Sequence, residues 1–277
     1  MNLAGVVILF NPDNDVINNI MSYAPFLKNL YVFDNSPSSH EELCKVIKEK
    51  TDVLYFWDGE NKGLPVCFNK ALQLAKNMGF NWLLTMDQDS RFNVNGLRDY
   101  ISCISKLPPN AYGISPTFRE EVKTKKIPFE LLSAIETCIT SGNIINVPIA
   151  IECGGFDEKL FIDEVDNEFC YRCNQAGYRL YKYNRVILIH HLGNPIPQKI
   201  LGFHYTALNE SYLRQYYGMR NRLYVASKYP RIKRKYYIII IKWLIKVILA
   251  EPDKLRKLQY AYKGLRDYKS HKMGKLQ

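Results

Sequence analysis

The sequence has no G-x-G-x-x-G after its first apolar run and no Walker-type glycine loop, which removes the ordinary dinucleotide-binding and P-loop readings. It also lacks an uncharged apolar run of the roughly 20 residues that a bilayer-spanning helix needs. No secretory signal is visible: Ala4–Phe10 is too short for a signal core, has no basic flank, and reads instead as a first strand. Cysteines number seven and are scattered. Cys170 and Cys173 form a C-x-x-C with no second pair at zinc-ligand spacing, leaving either a redox pair or, as expected in a reducing compartment, buried free thiols. Acids are in deficit, with 27 Asp and Glu against 38 Lys and Arg, and much of the resulting +11 lies between Lys228 and Lys275. That asymmetry implies a local basic surface drawn to phosphates on nucleotides, nucleic acid or anionic lipid.

What is present can bury a sizeable core. The chain has 277 residues and is 47% apolar, enough for one large α/β domain with an appended helical piece. Four unalternated apolar runs, Ala4–Phe10, Leu30–Asp34, Val53–Trp57 and Trp82–Asp87, read as strands buried on both faces, hence a mostly parallel sheet. Helices are expected between them at Asp15 to Lys28, Glu41 to Lys50 and Leu64 to Asn77. In such doubly wound sheets ligands lie beyond the carboxyl ends of the strands. Asn11, Asp34, Asn35, Asp58, Asn61, Asp87 and Asp89 all fall there.

Further along, Gly113–Pro116 and Ile139–Val147 read as short strands and Ile149–Cys153 as a short helix. Asp163–Ala176 reads as a helix stopped by Gly177, and Leu180–Ile189 as a strand running into His190-His191. The character changes after Pro197. Ser211–Ser227 is helical, and Tyr236–Ala250 is strongly apolar but carries Lys242 and Lys246. That last segment reads as a helix lying at a membrane interface, as a core helix, or as a span.

The most informative stretch is Met86-Asp87-Gln88-Asp89-Ser90. Extended alternation would turn both carboxylates to one side, and two hard oxygen donors at a strand end suit Mg²⁺ or Mn²⁺ whose other ligands are diphosphate oxygens and water. The bland alternative is a turn in which Asp caps backbone amides.

At this point the chain resembles the inverting family 2 glycosyltransferases of GT-A fold, and among them the bacterial rhamnosyltransferases, from about Leu3 to Arg222. The resemblance is carried by V-V-I-L-F-N at the first strand, Val32-Phe33-Asp34-Asn35-Ser36, Asn61-Lys62-Gly63 with Asn69-Lys70-Ala71, and Asp87-Gln88-Asp89. Gly154-Gly155-Phe156-Asp157-Glu158 and Phe161-Ile162-Asp163-Glu164-Val165-Asp166-Asn167-Glu168-Phe169-Cys170-Tyr171-Arg172 complete it. It implies a Rossmann-like, mostly parallel sheet flanked by helices in residues 1–205 and a basic, partly apolar helical region in 206–277. It implies that Phe10 and Asn11 contact the nucleoside base and that Asp34 binds the imide N–H of a uracil or thymine. Asn61 and Gly63 would abut the nucleotide, Asp87 would lie near the ribose, and Asp89 would ligate the metal, with His191 favoured over His190 as a further ligand. A histidine with a purely structural role is the alternative there.

Inverting sugar transfer needs a charge-stabilised leaving group and a base at the acceptor hydroxyl. Asp166 matches the family's base, and the start of a helix favours an ionised carboxylate. Asp163 and Glu164 are the fallback, and a merely solvated helix start is the alternative. Arg220-Asn221-Arg222 can neutralise a diphosphate, with Arg220 as the first candidate, or form a basic helix face. The expected donor is a dTDP-sugar or UDP-sugar, with rhamnose suggested by the resemblance. The acceptor is a saccharide or lipid-linked oligosaccharide, and the expected location is the cytoplasm, with peripheral contact to the inner membrane face through residues 231–268. A nucleotidyltransferase acting on a sugar phosphate is the competing reading, weakened because Asn11-Pro12-Asp13 is not a phosphate loop. Nucleic-acid binding is disfavoured because the strands end in acids.

Overall fold

The computed structural model describes residues 2–93, 96–119, 130–190, 196–200, 203–207 and 210–276. These residues fall into two compact units. One comprises Met1–Asp157 with Asp166–His191, the other Glu158–Val165 with Leu192–Gln277.

The first unit is built on a nine-stranded sheet. Its strands are β1 (Leu3–Leu9), β2 (Asn29–Asp34), β3 (Asp52–Trp57), β4 (Trp82–Asp87), β5 (Ser90–Phe92), β6 (Ala111–Phe118), β7 (Leu132–Ile135), β8 (Asn143–Asn146) and β9 (Arg179–His190). Their order is β3-β2-β1-β4-β8-β6-β9-β5, with β7 added to β9. The four expected parallel strands lie side by side, β3 to β2 to β1 to β4. Every residue of β1 is buried, as expected of a strand covered on both faces. Beyond β4 the sheet becomes mixed, β8 running antiparallel to β4 and β5 antiparallel to β9.

Six helices accompany the sheet among the described residues: α1 (Val16–Met21), α2 (Leu43–Ile47), α3 (Leu64–Asn77), α4 (Leu97–Ser102), α5 (Val147–Glu152) and α6 (Val165–Gln175). The span of α3 matches the sequence expectation, because Pro65 stands in its first turn and Gly63, at φ 81°, sets the entry. The helix expected from Asp15 to Lys28 is shorter. It ends at Met21 and gives way to a 3₁₀ turn, Ala24–Phe26, in which Pro25 has no N–H to continue the α-helical ladder. The helix expected from Asp163 begins only at Val165, since Asp163 and Glu164 hold left-handed backbone at φ 65° and 63°. The core packs Val7, Leu9, Ile20, Tyr23, Leu84, Met86 and Leu188 together with α1 and α4 side chains.

The second unit holds the hairpin β10 (Ile196–Ile200) and β11 (Phe203–Ala207) and three helices, α7 (Tyr212–Lys228), α8 (Lys233–Ala250) and α9 (Lys254–Lys269). Ser211 caps α7 by accepting the Arg214 N–H at 3.3 Å. Met219, Leu223, Ile240 and Ala261 form its core with Trp243, Leu244, Leu265 and Tyr268 around them. No described helix is long and apolar enough to cross a membrane. The backbones of α7 and α9 approach closely at Gly264, where an added Cβ would come within 2.4 Å of the Tyr216 carbonyl oxygen. Backbone cannot swing aside as a side chain can, so Gly264→Ala is expected to cost about 1–3 kcal/mol. A fall in the thermal unfolding midpoint, absent from an Ala substitution at the exposed Tyr262, checks this.

Candidate active site

Parallel register brings the strand ends to one edge. Leu9 pairs with Asp34 and Ile8 with Asp87, so Phe10 and Asn11, Asp34 and Asn35, and Asp87 all emerge at the carboxyl side of β1, β2 and β4. The turn between β4 and β5 then folds back, and β5 pairs with β9 so that Ser90 stands opposite His190. As a result one ligand atom from each of Asp87, Asp89 and His190 lies within 4.8 Å of the others. The His190 Nδ1 is 3.2 Å from Asp89 Oδ1 and 2.7 Å from the buried Ser90 Oγ. Ser141 accepts the Asp87 N–H at 3.1 Å, fixing where the first carboxylate leaves the strand. Two carboxylates and one imidazole form a donor set that suits Mn²⁺, and Mg²⁺ where water completes the shell. His191, favoured by the resemblance, lies outside the described residues, and its neighbour His190 is the histidine in this cluster.

Gln88, between the two acids, has a role the sequence reading did not assign. Its side chain accepts the Phe10 N–H at 2.8 Å and donates to the Phe10 carbonyl at 3.1 Å. Its own carbonyl accepts from Asn19 Nδ2 at 2.9 Å. The acid turn and the end of β1 are thereby fastened to each other, while the Phe10 side chain stays 49% exposed. Asn11 adopts φ 45° and donates its N–H to Ser36 Oγ at 2.7 Å. The signal for Gln88 was only its amide, which offers one donor and one acceptor to a strand end that presents the same.

Asp34 is buried, and its carboxylate orders the loop that follows β2. Oδ1 accepts the Ser36 N–H at 2.9 Å, and Oδ2 accepts the Tyr55 hydroxyl at 2.7 Å and the His40 N–H at 3.0 Å. His40 Nδ1 lies 2.9 Å from the same oxygen. Burial pushes this carboxyl up, but the hydrogen bonds from Ser36, Tyr55 and His40 outweigh it and hold the group below its ordinary range. Asn61 makes a local turn, its Oδ1 accepting the Gly63 N–H at 3.0 Å, and Asn35 accepts the Lys62 N–H at 3.4 Å. Lys62 pairs with Asp58 beside it. Trp57, 44% exposed, donates its indole N–H to the Ser36 carbonyl at 3.0 Å.

Asn69 is a second amide clamp. It accepts the Phe156 N–H at 2.7 Å and donates to the Phe156 carbonyl at 2.9 Å. Gly154 and Gly155 both hold left-handed backbone, at φ 86° and 66°, and a Cβ at Gly155 would crowd the Asn69 Oδ1, which accounts for the pair. Glu168 is fully buried and meets Arg172 in a two-point pair, at 3.0 and 2.6 Å, while Arg172 also reaches the Cys153 carbonyl. Asp166, in the first turn of α6, lines a pocket with Tyr112, Cys138, Thr140, Asn143, Phe169 and Cys170. The adjoining segment serves both places, since Thr140 lines this pocket and Ser141 binds the Asp87 backbone.

The other acids of that run have different duties within the second unit. Asp163 pairs with Arg214 at 2.7 Å, and burial pushes its carboxyl up to about 6 against the pull of Arg214. Glu164 pairs with Arg222 at 3.4 Å and accepts the Tyr236 hydroxyl at 2.7 Å. Arg220 corrects the sequence expectation. It is 1% exposed, and its guanidinium donates to the Gly274 carbonyl at 2.8 Å, the Leu160 carbonyl at 3.4 Å and the Asn221 amide oxygen at 3.0 Å. A guanidinium so enclosed ties backbone together rather than presenting its donors to a diphosphate. Asn221 donates to three carbonyls, Leu160 at 2.8 Å, Ile162 at 2.6 Å and Asp163 at 3.0 Å.

The sheet and the helices around it have the fold of glycosyltransferases of the GT-A type. No protein-family model matches the chain. It is 25% identical over 246 residues to the dTDP-rhamnosyl transferase RfbF of Shigella flexneri, covering 82% of this chain and 80% of that one. The structure of GalNAc-T7 with UDP, GalNAc and Mn²⁺ matches 80% of this chain with a TM-score of 0.56 at 14% identity. This chain spans 51% of that one, about half its length. S. aureus TarS 1–349 in complex with UDP-GlcNAc matches 97% of this chain and 73% of its own, with a TM-score of 0.54 at 14% identity.

The Asp34 network gives a pH prediction. Its lowered pKa means that the charged form adds stability above pH 3.8, which is lost as the pH falls through the depressed value. Asp34→Asn is therefore expected to be less stable than wild type at pH 7, with the gap in unfolding midpoint closing below pH 3.8. A constant gap across that range would remove Asp34 as its source.

Proposed function

We propose that this chain is an inverting transferase that moves a sugar from a dTDP-sugar or UDP-sugar to a hydroxyl of a saccharide or lipid-linked oligosaccharide in cell-surface polysaccharide synthesis. Rhamnose is the sugar suggested by the sequence relative. The observation that carries this reading is the Asp87–Asp89–His190 cluster, set at the carboxyl edge of the parallel strands beside the exposed Phe10. In this reading Asp89, with Asp87 and His190, would hold a Mg²⁺ or Mn²⁺, which would supply positive charge to the leaving nucleoside diphosphate. His191 stays a candidate for a further ligand.

The chain's own groups divide the remaining work. Phe10 offers an apolar face to the base, and Asn11 flanks it. Asp34 shapes the loop against which the base rests, and Asn61 and Gly63 form the turn next to it. Asp166 takes the proton from the acceptor hydroxyl as that oxygen bonds to the anomeric carbon and the diphosphate oxygen leaves from the opposite face. The first turn of α6 favours the carboxylate form of Asp166 needed for this. Asp166 is preferred to Asp163 and Glu164 because it is the acid that the resemblance matches to the base and it stands in the first turn of α6. The enzyme would work in the cytoplasm at the inner face of a membrane, in peripheral contact through residues 231–268, with no nucleic-acid partner.

Thermal unfolding with UDP or dTDP, with and without Mn²⁺, tests the donor site. At about 100 times the dissociation constant, binding is worth roughly 2.7 kcal/mol. The expected result is a rise in midpoint that requires both nucleotide and metal. Stabilisation by a nucleoside triphosphate with a sugar phosphate instead would point to nucleotidyl transfer. Asp89→Ala is expected to abolish the metal-dependent rise and turnover together. Asp166→Asn is expected to keep that rise and lose about 10²–10⁴-fold in turnover, the ordinary contribution of a general base. Near-normal turnover of Asp166→Asn in a sugar-nucleotide assay would remove the base assignment.

A further inference from the structure

Helix α8 is apolar on two opposite faces. Tyr236, Ile240, Val247 and Ala250 are buried in its own unit, with Trp243 and Leu244 partly so. Facing the other way, Ile238, Ile241, Ile245 and Ile248 recur at spacings of three and four residues, which places them in one stripe. All four are exposed, Ile241 at 57% and Ile245 at 49%, and Leu249 beside them at 61%. Burial of apolar area stabilises folded chains, so a stripe of this kind signals an unfilled interface.

Charge indicates what fills it. Residues 231–277 contain 14 Lys and Arg against 3 Asp and Glu, which equals the entire +11 of the chain. The other 230 residues are balanced. Lys233–Ala250 contains no acid at all. Lys242 and Lys246, both exposed, run along one flank of the stripe, one and two turns beyond Ile238, and Arg234 stands one turn before it. A second copy of this chain laid on the stripe would bring these lysines against their own counterparts, with no carboxylate on the helix to pair them. A lipid surface reverses that sign: isoleucines enter the acyl boundary while lysine stems lie along it and carry their ammonium groups to anionic headgroups.

We propose that the Ile238–Ile241–Ile245–Ile248 face of α8 docks on an anionic phospholipid surface, lying in its plane, with Arg234, Lys242 and Lys246 against the headgroups. This rests on the reading of residues 231–268 as a membrane contact and names the face and the lipid chemistry. It stands on exposure and charge, independently of the transferase assignment.

The test is co-sedimentation of the full chain with phosphatidylcholine vesicles and with phosphatidylcholine vesicles containing phosphatidylglycerol. Expected is at least tenfold tighter binding to the anionic vesicles, reduced but not abolished by high salt because the isoleucines contribute a salt-insensitive part. Ile241→Glu/Ile245→Glu is expected to lose at least tenfold on anionic vesicles, and Arg234→Glu/Lys242→Glu to fall to the level seen on neutral ones. Both variants alter exposed side chains, and unchanged thermal unfolding verifies that they fold. Wild type that ignores anionic vesicles, or Ile241→Glu/Ile245→Glu that binds them as wild type does, overturns the proposal. So does a dimer in sedimentation velocity that dissociates in that variant while vesicles are not bound. Sugar-nucleotide hydrolysis measured on the same samples separates the two readings: hydrolysis without vesicle binding removes the docking face alone, and vesicle binding without hydrolysis removes the transferase alone.

Discussion

The candidate site depends on the antiparallel pairing of three residues, Ser90–Phe92, with the end of β9. Without that pairing the turn after β4 would leave Asp89 in solvent and His190 at the end of an unrelated strand. With it, a histidine a hundred positions downstream arrives beside two acids, and the buried Ser90 hydroxyl holds its ring. Parallel strands deliver side chains to a common edge, but they cannot turn one back across that edge. The short returning strand supplies that reversal, and the mixed half of the sheet exists around it.

Within each unit the chain uses carboxamides to fasten backbone that has no ladder partner. Gln88 holds Phe10, Asn69 holds Phe156, and Asn221 holds the carbonyls of Leu160, Ile162 and Asp163. A carboxamide offers a donor and an acceptor at fixed separation and carries no charge, so it satisfies loop backbone without the desolvation penalty of an ion. The segment held by Asn221 includes three non-glycine residues in left-handed backbone, Phe161, Asp163 and Glu164. Such residues each cost of order 1–3 kcal/mol and persist only where their surroundings over-determine them. Here the surroundings are Asn221, Arg214, Arg222 and Tyr236.

Much of this was legible from the residues. Uninterrupted apolar runs gave the four parallel strands, and Trp82–Asp87 has the same bounds in sequence and structure because Asp87 is where burial ends. The two acids follow from that strand end. That His190 stands beside the two acids was not legible, because the face of β9 that meets them depends on its register with β5. The fate of Arg220 was hidden for a related reason. A basic helix face and an arginine buried against the carbonyls of Leu160 and Gly274 look alike until the chain closes over it. The β5 strand, the α4 helix and the β7 strand were missed because a segment of three to six residues takes its conformation from its neighbours rather than from its own periodicity.

The Asn221 clamp also bears on the chemical ageing of the protein. Hydrolysis of that carboxamide would replace its NH₂ donors with an acceptor-only carboxylate, facing three carbonyl oxygens within 3.0 Å. Electron pairs would then oppose electron pairs around the strained turn, and no rotation of the side chain would relieve it. Deamidation, harmless at an exposed asparagine, would at this position destabilise the fold, and burial within α7 shields the carboxamide from the water and backbone attack that the reaction needs.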